Sequence, residues 1–233
     1  MDLEKICRQA ISLIKETGEF IEKENSKISQ EKVQFKGKND LVTYVDMASE
    51  KKLVQGLSDI LPEAGFITEE KTSSKPGEYK WVIDPIDGTT NYVHSIPIYS
   101  ISVALMNKEE IVIGIVYEIC LKECFYTWKD EKVYLNNNII SVSSADSLQS
   151  SLLATGFPYS NLTLIDPYID ILKELLKKSR GIRRLGSAAV DLAYVACGRF
   201  DGFYEYRLKP WDVAAGAFLV KQAGGKVVDF KGV

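Results

Sequence analysis

Residues 84–91 read Asp84-Pro85-Ile86-Asp87-Gly88-Thr89-Thr90-Asn91 and place two carboxylates three residues apart, beside a glycine and two hydroxyls. The apolar Trp81-Val82-Ile83 ahead of them reads as a buried strand, so Asp84 emerges at the carboxyl end of a sheet, where Pro85 stiffens the exit. A tight turn can aim Asp87 at the same point. Gly88 permits close backbone approach, and Thr89-Thr90 can open a short helix whose free N–H groups favour an anion. Two hard oxygen ligands beside an anion cradle suit a cation such as magnesium and a phosphate. Read alone, the segment also fits a plain strand followed by a Pro-x-Asp-Gly turn.

Other acids can join this pair. Asp212 follows Lys209-Pro210-Trp211, and proline suits a first helical turn, so Asp212 stands at a helix N-terminus where the dipole favours a carboxylate. Glu69 ends a short strand and can point into the same crevice, although beside Glu70 and Lys71 it also fits a solvated loop. Asp46 lies near the start of a helix, with the same dipole reading as Asp212.

The composition excludes several alternatives. His94 is the one histidine, which removes histidine pairs and most zinc hydrolases. No cysteine is followed six positions later by arginine, no Asp-x-Asp occurs, and no Gly-x-x-x-x-Gly-Lys-Ser/Thr loop is present. Carboxylate and hydroxyl chemistry around a hard metal remains. His94 is expected to be structural or to lie behind the ligands, and not to hold the metal itself.

With 29 basic and 32 acidic residues the net charge is -3, which does not describe a polyanion-binding surface, so nucleic acid is not an expected partner. The apolar runs are far short of the ~20 residues that span a bilayer, and no signal-peptide pattern opens the chain, so no membrane partner and a cytoplasmic location are expected. Cys7, Cys120, Cys124 and Cys197 lack framework or zinc spacing and read as reduced thiols.

The elements that must position the acids follow from periodicity. Residues 2–24 repeat apolar positions at helical spacing. A short strand over 33–35 and a turn at 37–40 precede a second helix that Pro62 ends. Residues 65–68 and 81–83 read as strands, the latter halted at Asp84-Pro85. Runs at 99–106, 111–117, 123–128 and 132–135 suggest an antiparallel meander. Beyond 142, helical patterns at 163–178, 187–197 and 210–223 alternate with short strands at 151–155, 200–205 and 226–229. The expected division is an N-terminal α+β half, 1–145, carrying the metal and phosphate site, and a C-terminal α/β half, 146–233, supplying Asp212 and an alcohol pocket, in one unit of layered helices and sheets.

Taken together, these residues resemble the inositol monophosphatase family of the lithium-sensitive, metal-dependent phosphatases. The first signature lies in Trp81-Val82-Ile83-Asp84-Pro85-Ile86-Asp87-Gly88-Thr89-Thr90-Asn91-Tyr92, and the second in Trp211-Asp212-Val213-Ala214-Ala215-Gly216 through Ala223-Gly224-Gly225. Further matches are Asn39-Asp40-Leu41-Val42-Thr43 with Asp46, Glu69-Glu70, and Arg184-Leu185-Gly186-Ser187-Ala188-Ala189. Their order is correct along nearly the whole chain. Two departures stand out: the chain stops at Val233, where the family usually continues with a strand and a helix, and 128–137 lacks the usual glycines.

The resemblance implies an αβαβα sandwich of the inositol monophosphatase and fructose bisphosphatase type. It implies that Glu69, Asp84 and the Ile86 carbonyl hold one Mg2+, that Asp84, Asp87 and Asp212 hold a second, and that a third, weaker ion lies near Glu69. Mn2+ would substitute, while Ca2+ and Li+ would inhibit. Thr89, hydrogen-bonded to Asp46, would help deprotonate the attacking water, with Glu69 beside it. Asp87, Asp212 and the Gly88 and Thr89 amides would meet the substrate's phosphate side, with Lys36 nearby, while Gly186, Ser187, Ala188 and Glu205 would contact its alcohol. The implied reaction is hydrolysis of a small phosphate monoester of a polyol or sugar, inositol 1-phosphate first, by a homodimer. Alternatives are fructose 1,6-bisphosphate, then 3′-phosphoadenosine 5′-phosphate, histidinol phosphate and NADP. Arg183-Arg184 resembles the branch that associates with the transcription machinery, a reading of a different class.

Overall fold

Ile6, Cys7, Ala10, Ile14, Thr17, Gly18 and Ile21 line one buried stripe of helix α1, Leu3–Asn25, whose start is capped by the Asp2 carboxylate accepting from the Lys5 N–H at 3.0 Å. A computed structural model of the chain describes residues 1–25, 33–37, 40–159 and 162–232, with backbone alone for 33–37 and 40–43. The expected turn at 37–40 falls partly outside these residues, and so does the side chain of Lys36. The flanking strands β1, Val33–Gly37, and β2, Asp40–Thr43, pair antiparallel. Helix α2, Tyr44–Ile60, follows directly.

The remaining elements alternate short and long. Strand β3 is Gly65–Thr68, β4 is Tyr79–Asp87, helix α3 is Thr89–Val93, β5 is Ser100–Asn107, β6 is Glu110–Glu118, β7 is Glu123–Trp128, β8 is Val133–Leu135 and β9 is Asn138–Ile140. Then come β10, Leu152–Thr155; α4, Ile165–Lys178; β11, Gly181–Arg183; α5, Ala188–Ala196; β12, Gly202–Tyr204; and α6, Pro210–Gln222. Strands β3 to β9 form one sheet in chain order, parallel between β3 and β4 and antiparallel thereafter. A second sheet, β11-β10-β12, is parallel.

Both faces of the large sheet are covered, which explains why its strands read as unbroken apolar runs. Trp81, Ile83, Ile101, Val103, Leu105, Ile113 and Ile115 pack towards α1 and α2. Their alternates Val82, Ala104 and Val116 join Ala189, Leu192, Ala193, Ala215 and Leu219 of α5 and α6 in a second core. Gly114 of β6 lets α6 close in, since a Cβ there would stand 3.0 Å from the Ala215 carbonyl. The small sheet and α4 complete the series, giving the layered helix-sheet-helix-sheet-helix order the sequence implied.

Besides β2, a strand the sequence reading did not contain, three places differ from it. Strand β4 does not halt at Asp84-Pro85 but continues to Asp87 through an irregularity that tolerates proline, because the missing N–H owes nothing to the ladder there. Strand β9 was not anticipated; Asn136 and Asn137 both take positive φ, 47° and 73°, as a two-residue hairpin loop requires. Residues 226–229 form no strand, since no described residue offers their backbone a ladder partner.

Candidate active site

Residues three apart on a regular strand face opposite sides of a sheet. Asp84 and Asp87 escape this because the β4–β5 register slips between them: Asp84 stands opposite Ser102 and Asp87 opposite Ser100, so three steps on one strand match two on the other. The extra residue, a β-bulge, returns both carboxylates to one side. The Ile86 N–H donates to Asp84 Oδ1 at 3.0 Å and fixes that carboxylate, which is almost wholly buried.

Glu69 follows β3 and extends the pairing, its N–H donating to the Ile83 carbonyl at 3.3 Å. The turn beyond it is held by fully buried Glu50 of α2, which accepts from the N–H groups of Glu70 and Thr72 at 2.7 and 2.9 Å and from the Thr72 hydroxyl at 2.8 Å. Asp212 arrives from the far end of the chain at the third position of α6. Its carboxylate accepts from the Lys209 N–H at 2.6 Å, and Pro210 opens the helix. The carbonyl of adjacent Trp211 accepts from the Ser102 hydroxyl at 3.1 Å, which ties this turn to β5.

These four acids share one electrostatic neighbourhood. Asp84 is pushed well above the usual carboxylate range, first by burial and then by Glu69, Asp87 and Asp212. Asp212 is pushed up to about 7 by burial and then by Asp87, against the Lys209 N–H and charge. Asp87 rises through burial too, opposed by the Ser187 hydroxyl, the Ala189 and Ala188 N–H groups and Arg184. Among the described residues, no three His, Cys, Asp or Glu side chains close into a ready metal shell. Asp87 and Asp212 each accept from local donors, the Ser187 hydroxyl and Ala189 N–H for the first and the Lys209 N–H for the second.

Thr89 opens α3 after Gly88, whose φ of 97° suits glycine. The Thr89 hydroxyl lies 3.2 Å from Asp46 Oδ1 and 3.0 Å from the Ile86 carbonyl, so the expected Thr89–Asp46 pair is formed. A Cβ on Gly88 would stand 3.1 Å from the Gly186 carbonyl, which brings the Gly186-Ser187-Ala188 segment against the same turn. Ser187 caps α5 and is buried; its hydroxyl donates to Asp87 Oδ2 at 2.6 Å, and the Ala189 N–H donates to the same oxygen at 2.6 Å. The Ser187 side chain is therefore committed to Asp87. Glu205 follows β12, and its carboxyl occupies the space beside Gly156, where a Cβ would meet it at 2.0 Å. Burial and then Asp87 raise it to about 8, against Arg184.

Asn91 and Tyr92 hold the site together. Asn91 is buried, and its amide donates to the Ile98 and Leu185 carbonyls at 2.8 and 2.9 Å. Tyr92 donates to the Ile21 carbonyl at 3.0 Å and is fully buried. His94 is exposed and its N–H caps α3. Arg184 lies over the rings of Phe157 and Tyr159, 5.8 and 5.3 Å from their centroids. The sequence reading missed Asp191. It is 1% exposed, its Oδ1 has no hydrogen-bond partner, and burial, then Asp87 and Glu205, push it up to about 9 against Arg184. An acid inside the apolar run Ala188-Ala189-Val190-Asp191-Leu192-Ala193 was the available signal.

Known proteins share this layout. A Nus factor SuhB of Escherichia coli is 38% identical over 225 residues, covering 96% of this chain and 84% of the relative. The crystal structure of the extragenic suppressor protein SuhB from Bartonella henselae superposes with a TM-score of 0.91 at 35% identity, covering 95% of this chain and 86% of that one. The IMPase of Thermotoga maritima gives a TM-score of 0.87 at 35% identity, covering 95% and 84%. Residues 2–233 match the sequence profile named for inositol monophosphatases, so profile, relatives and layered fold agree: this chain belongs to the inositol monophosphatase family.

Proposed function

We propose that the chain hydrolyses a small phosphate monoester with magnesium at the acid cluster around Asp84, and that inositol 1-phosphate is its first substrate. The observation that carries this reading is the electrostatic coupling of buried Asp84 to Glu69, Asp87 and Asp212, all three of which raise its carboxyl further. Such a cluster carries more negative charge than Arg184 and Lys209 offset, and its carboxylates are hard oxygens. That donor chemistry fits magnesium, which keeps several waters and so needs no closed protein shell. Glu69, Asp84 and the Ile86 carbonyl would hold one ion, Asp84, Asp87 and Asp212 a second, and Glu69 would flank a third. Bound magnesium supplies the charge that admits a phosphate dianion and the Lewis acidity that activates water.

The chain's own groups divide the remaining work. A unit-charge pair at 4 Å is worth about 4 kcal/mol at intermediate dielectric, so the bare acids repel phosphate. The Gly88 and Thr89 N–H groups at the start of α3 would face the anion. Thr89, held by Asp46, is placed to accept and pass on a proton from the attacking water, with Glu69 at the same edge. Glu205 and the Gly186–Ala188 backbone take the alcohol. A homodimer is the proposed assembly; exposed Leu162, Leu164 and Leu176 around α4 support it. The test is phosphate release with magnesium across inositol 1-phosphate, fructose 1,6-bisphosphate, 3′-phosphoadenosine 5′-phosphate, histidinol phosphate and NADP. Inositol 1-phosphate should be cleaved fastest and chelation should abolish release. Full activity after exhaustive chelation would sink the metal reading; faster cleavage of another panel member would replace the substrate alone. Mn2+ is expected to restore activity, and Ca2+ and Li+ to inhibit it.

A second reading, binding to the transcription machinery, draws support from the Nus factor name of the Escherichia coli relative and from exposed Arg183 at the end of β11. Recovery of RNA polymerase with the tagged chain, without phosphate release from any panel member, would reverse the order of the two readings.

A further inference from the structure

We propose that the cleft between α1 and the β7–β9 edge of the large sheet binds a small phosphate-bearing dianion at a second site that shares no residue with the acid cluster. The cleft encloses about 390 Å³ and is lined by Arg8 and Lys15 of α1, Lys122 before β7, Tyr126 of β7, and Asn136 and Asn137 of the β8–β9 loop. Arg8 and Lys15 are seven residues apart and so share a helix face. Three cations therefore meet in one concavity, and no carboxylate lines it among the described residues.

Two of these cations already hold an acid from outside the cleft. Arg8 pairs with Glu4 at 2.9 Å and lies over the Trp128 ring, and Lys122 pairs with Glu22. Lys15 has no acidic partner among the described residues, so its charge is left for an occupant.

The neutral groups are arranged as donors. Asn136 is fixed at both ends, its Oδ1 accepting from the Cys124 N–H at 3.0 Å and its Nδ2 donating to the Lys122 carbonyl at 3.1 Å. Asn137 Oδ1 accepts from the Tyr126 hydroxyl at 2.8 Å, which uses its acceptor and leaves the amide N–H groups to donate. Both asparagines sit in a tight loop with left-handed backbone. An unneutralised lysine, a neighbouring guanidinium and a free amide match the several oxygens of a phosphate dianion better than the two of a carboxylate. The volume is near the lower end of the ~300–1,000 Å³ usual for small-molecule sites, room for a phosphate and a few carbons.

The probes are inorganic phosphate and then glycerol 3-phosphate. Each is titrated into the full chain without added divalent metal, where the bare acid cluster repels anions. Binding is read by calorimetry and by the side-chain amide signals of Asn136 and Asn137. Saturable binding is expected, weakened about tenfold or more by Lys15→Glu and by Asn137→Asp, and unchanged by Asp84→Asn. Lys15 is exposed, and aspartate tolerates the Asn137 backbone, so both variants should fold; thermal midpoints check this. Absence of saturation up to about 50 mM, or affinity in a folded Lys15→Glu within about twofold of the parent, overturns the proposal. So does loss of binding in Asp84→Asn with Lys15→Glu unaffected, which would put the anion at the acid cluster. The outcomes read at Lys15 and Asn137 do not bear on the phosphatase reading, whose own test is the chelation experiment.

Discussion

At the scale of single residues, the acids differ in what they are tied to. Asp84 is held by one N–H and faced by three carboxylates, so it has most to gain from a cation. Asp84→Asn keeps the shape and removes one charge. Its kcat for phosphate release should fall roughly a thousandfold, about 4 kcal/mol of transition-state stabilisation, with the circular-dichroism spectrum retained. Near-normal magnesium-dependent turnover would refute the site. Asp191 is a different case, a buried acid without a partner for Oδ1. Its folded value, about 9, lies above the ordinary 3.8, so the proton bound in the fold stabilises it fully at low pH. That stability is lost as pH rises from about 4 to about 9, at no more than about 1.4 kcal/mol per unit. Asp191→Asn should remove this slope. In metal-free denaturant titrations, the variant should lose less stability than the parent between about pH 5 and about pH 8.

At the scale of elements, the deciding feature is the turn at Gly88. Its φ of 97° and the Gly186 carbonyl 3.1 Å from a built Cβ both oppose any larger residue. Gly88→Ala should cost about 1–3 kcal/mol of stability and also shift the N–H groups proposed to face phosphate, so a lowered melting point and a raised KM are expected together. The sequence made much of this legible. Helix α1, the meander β5–β8 and the proline-opened α6 were readable because periodicity and punctuation are local signals. The pairing of Thr89 with Asp46 was accessible through the resemblance alone, since nothing local links positions 43 residues apart. Other features were hidden for stated reasons. The continuation of β4 to Asp87 depends on a register slip against β5, and the commitment of Ser187 to Asp87 depends on α5 docking at the turn. Both are tertiary facts, as is the burial that makes Asn91 a clamp between loops.

At the scale of the whole molecule, the middle helical layer sets how closely the two sheets approach. Gly216 of α6 faces Leu192 of α5, where an added Cβ would stand 2.6 Å from the Leu192 Cβ. Gly216→Ala should overpack this contact at a cost of about 1–3 kcal/mol, measurable as a lower denaturant midpoint with an unchanged slope. An unaltered midpoint would mean that the layers have slack. The Asp87 carboxylate is a second joint between the layers, because the groups that cap it lie 100 and 102 residues further along the chain. Severing the backbone near residue 145 would thus leave a first piece whose acids lack their cap and a second whose helix α5 lacks its anion. Neither piece could serve as a working half. Complementation of the two would have to remake the Asp87–Ser187 contact before any site existed, so recovered function would report reassembly rather than the survival of either piece.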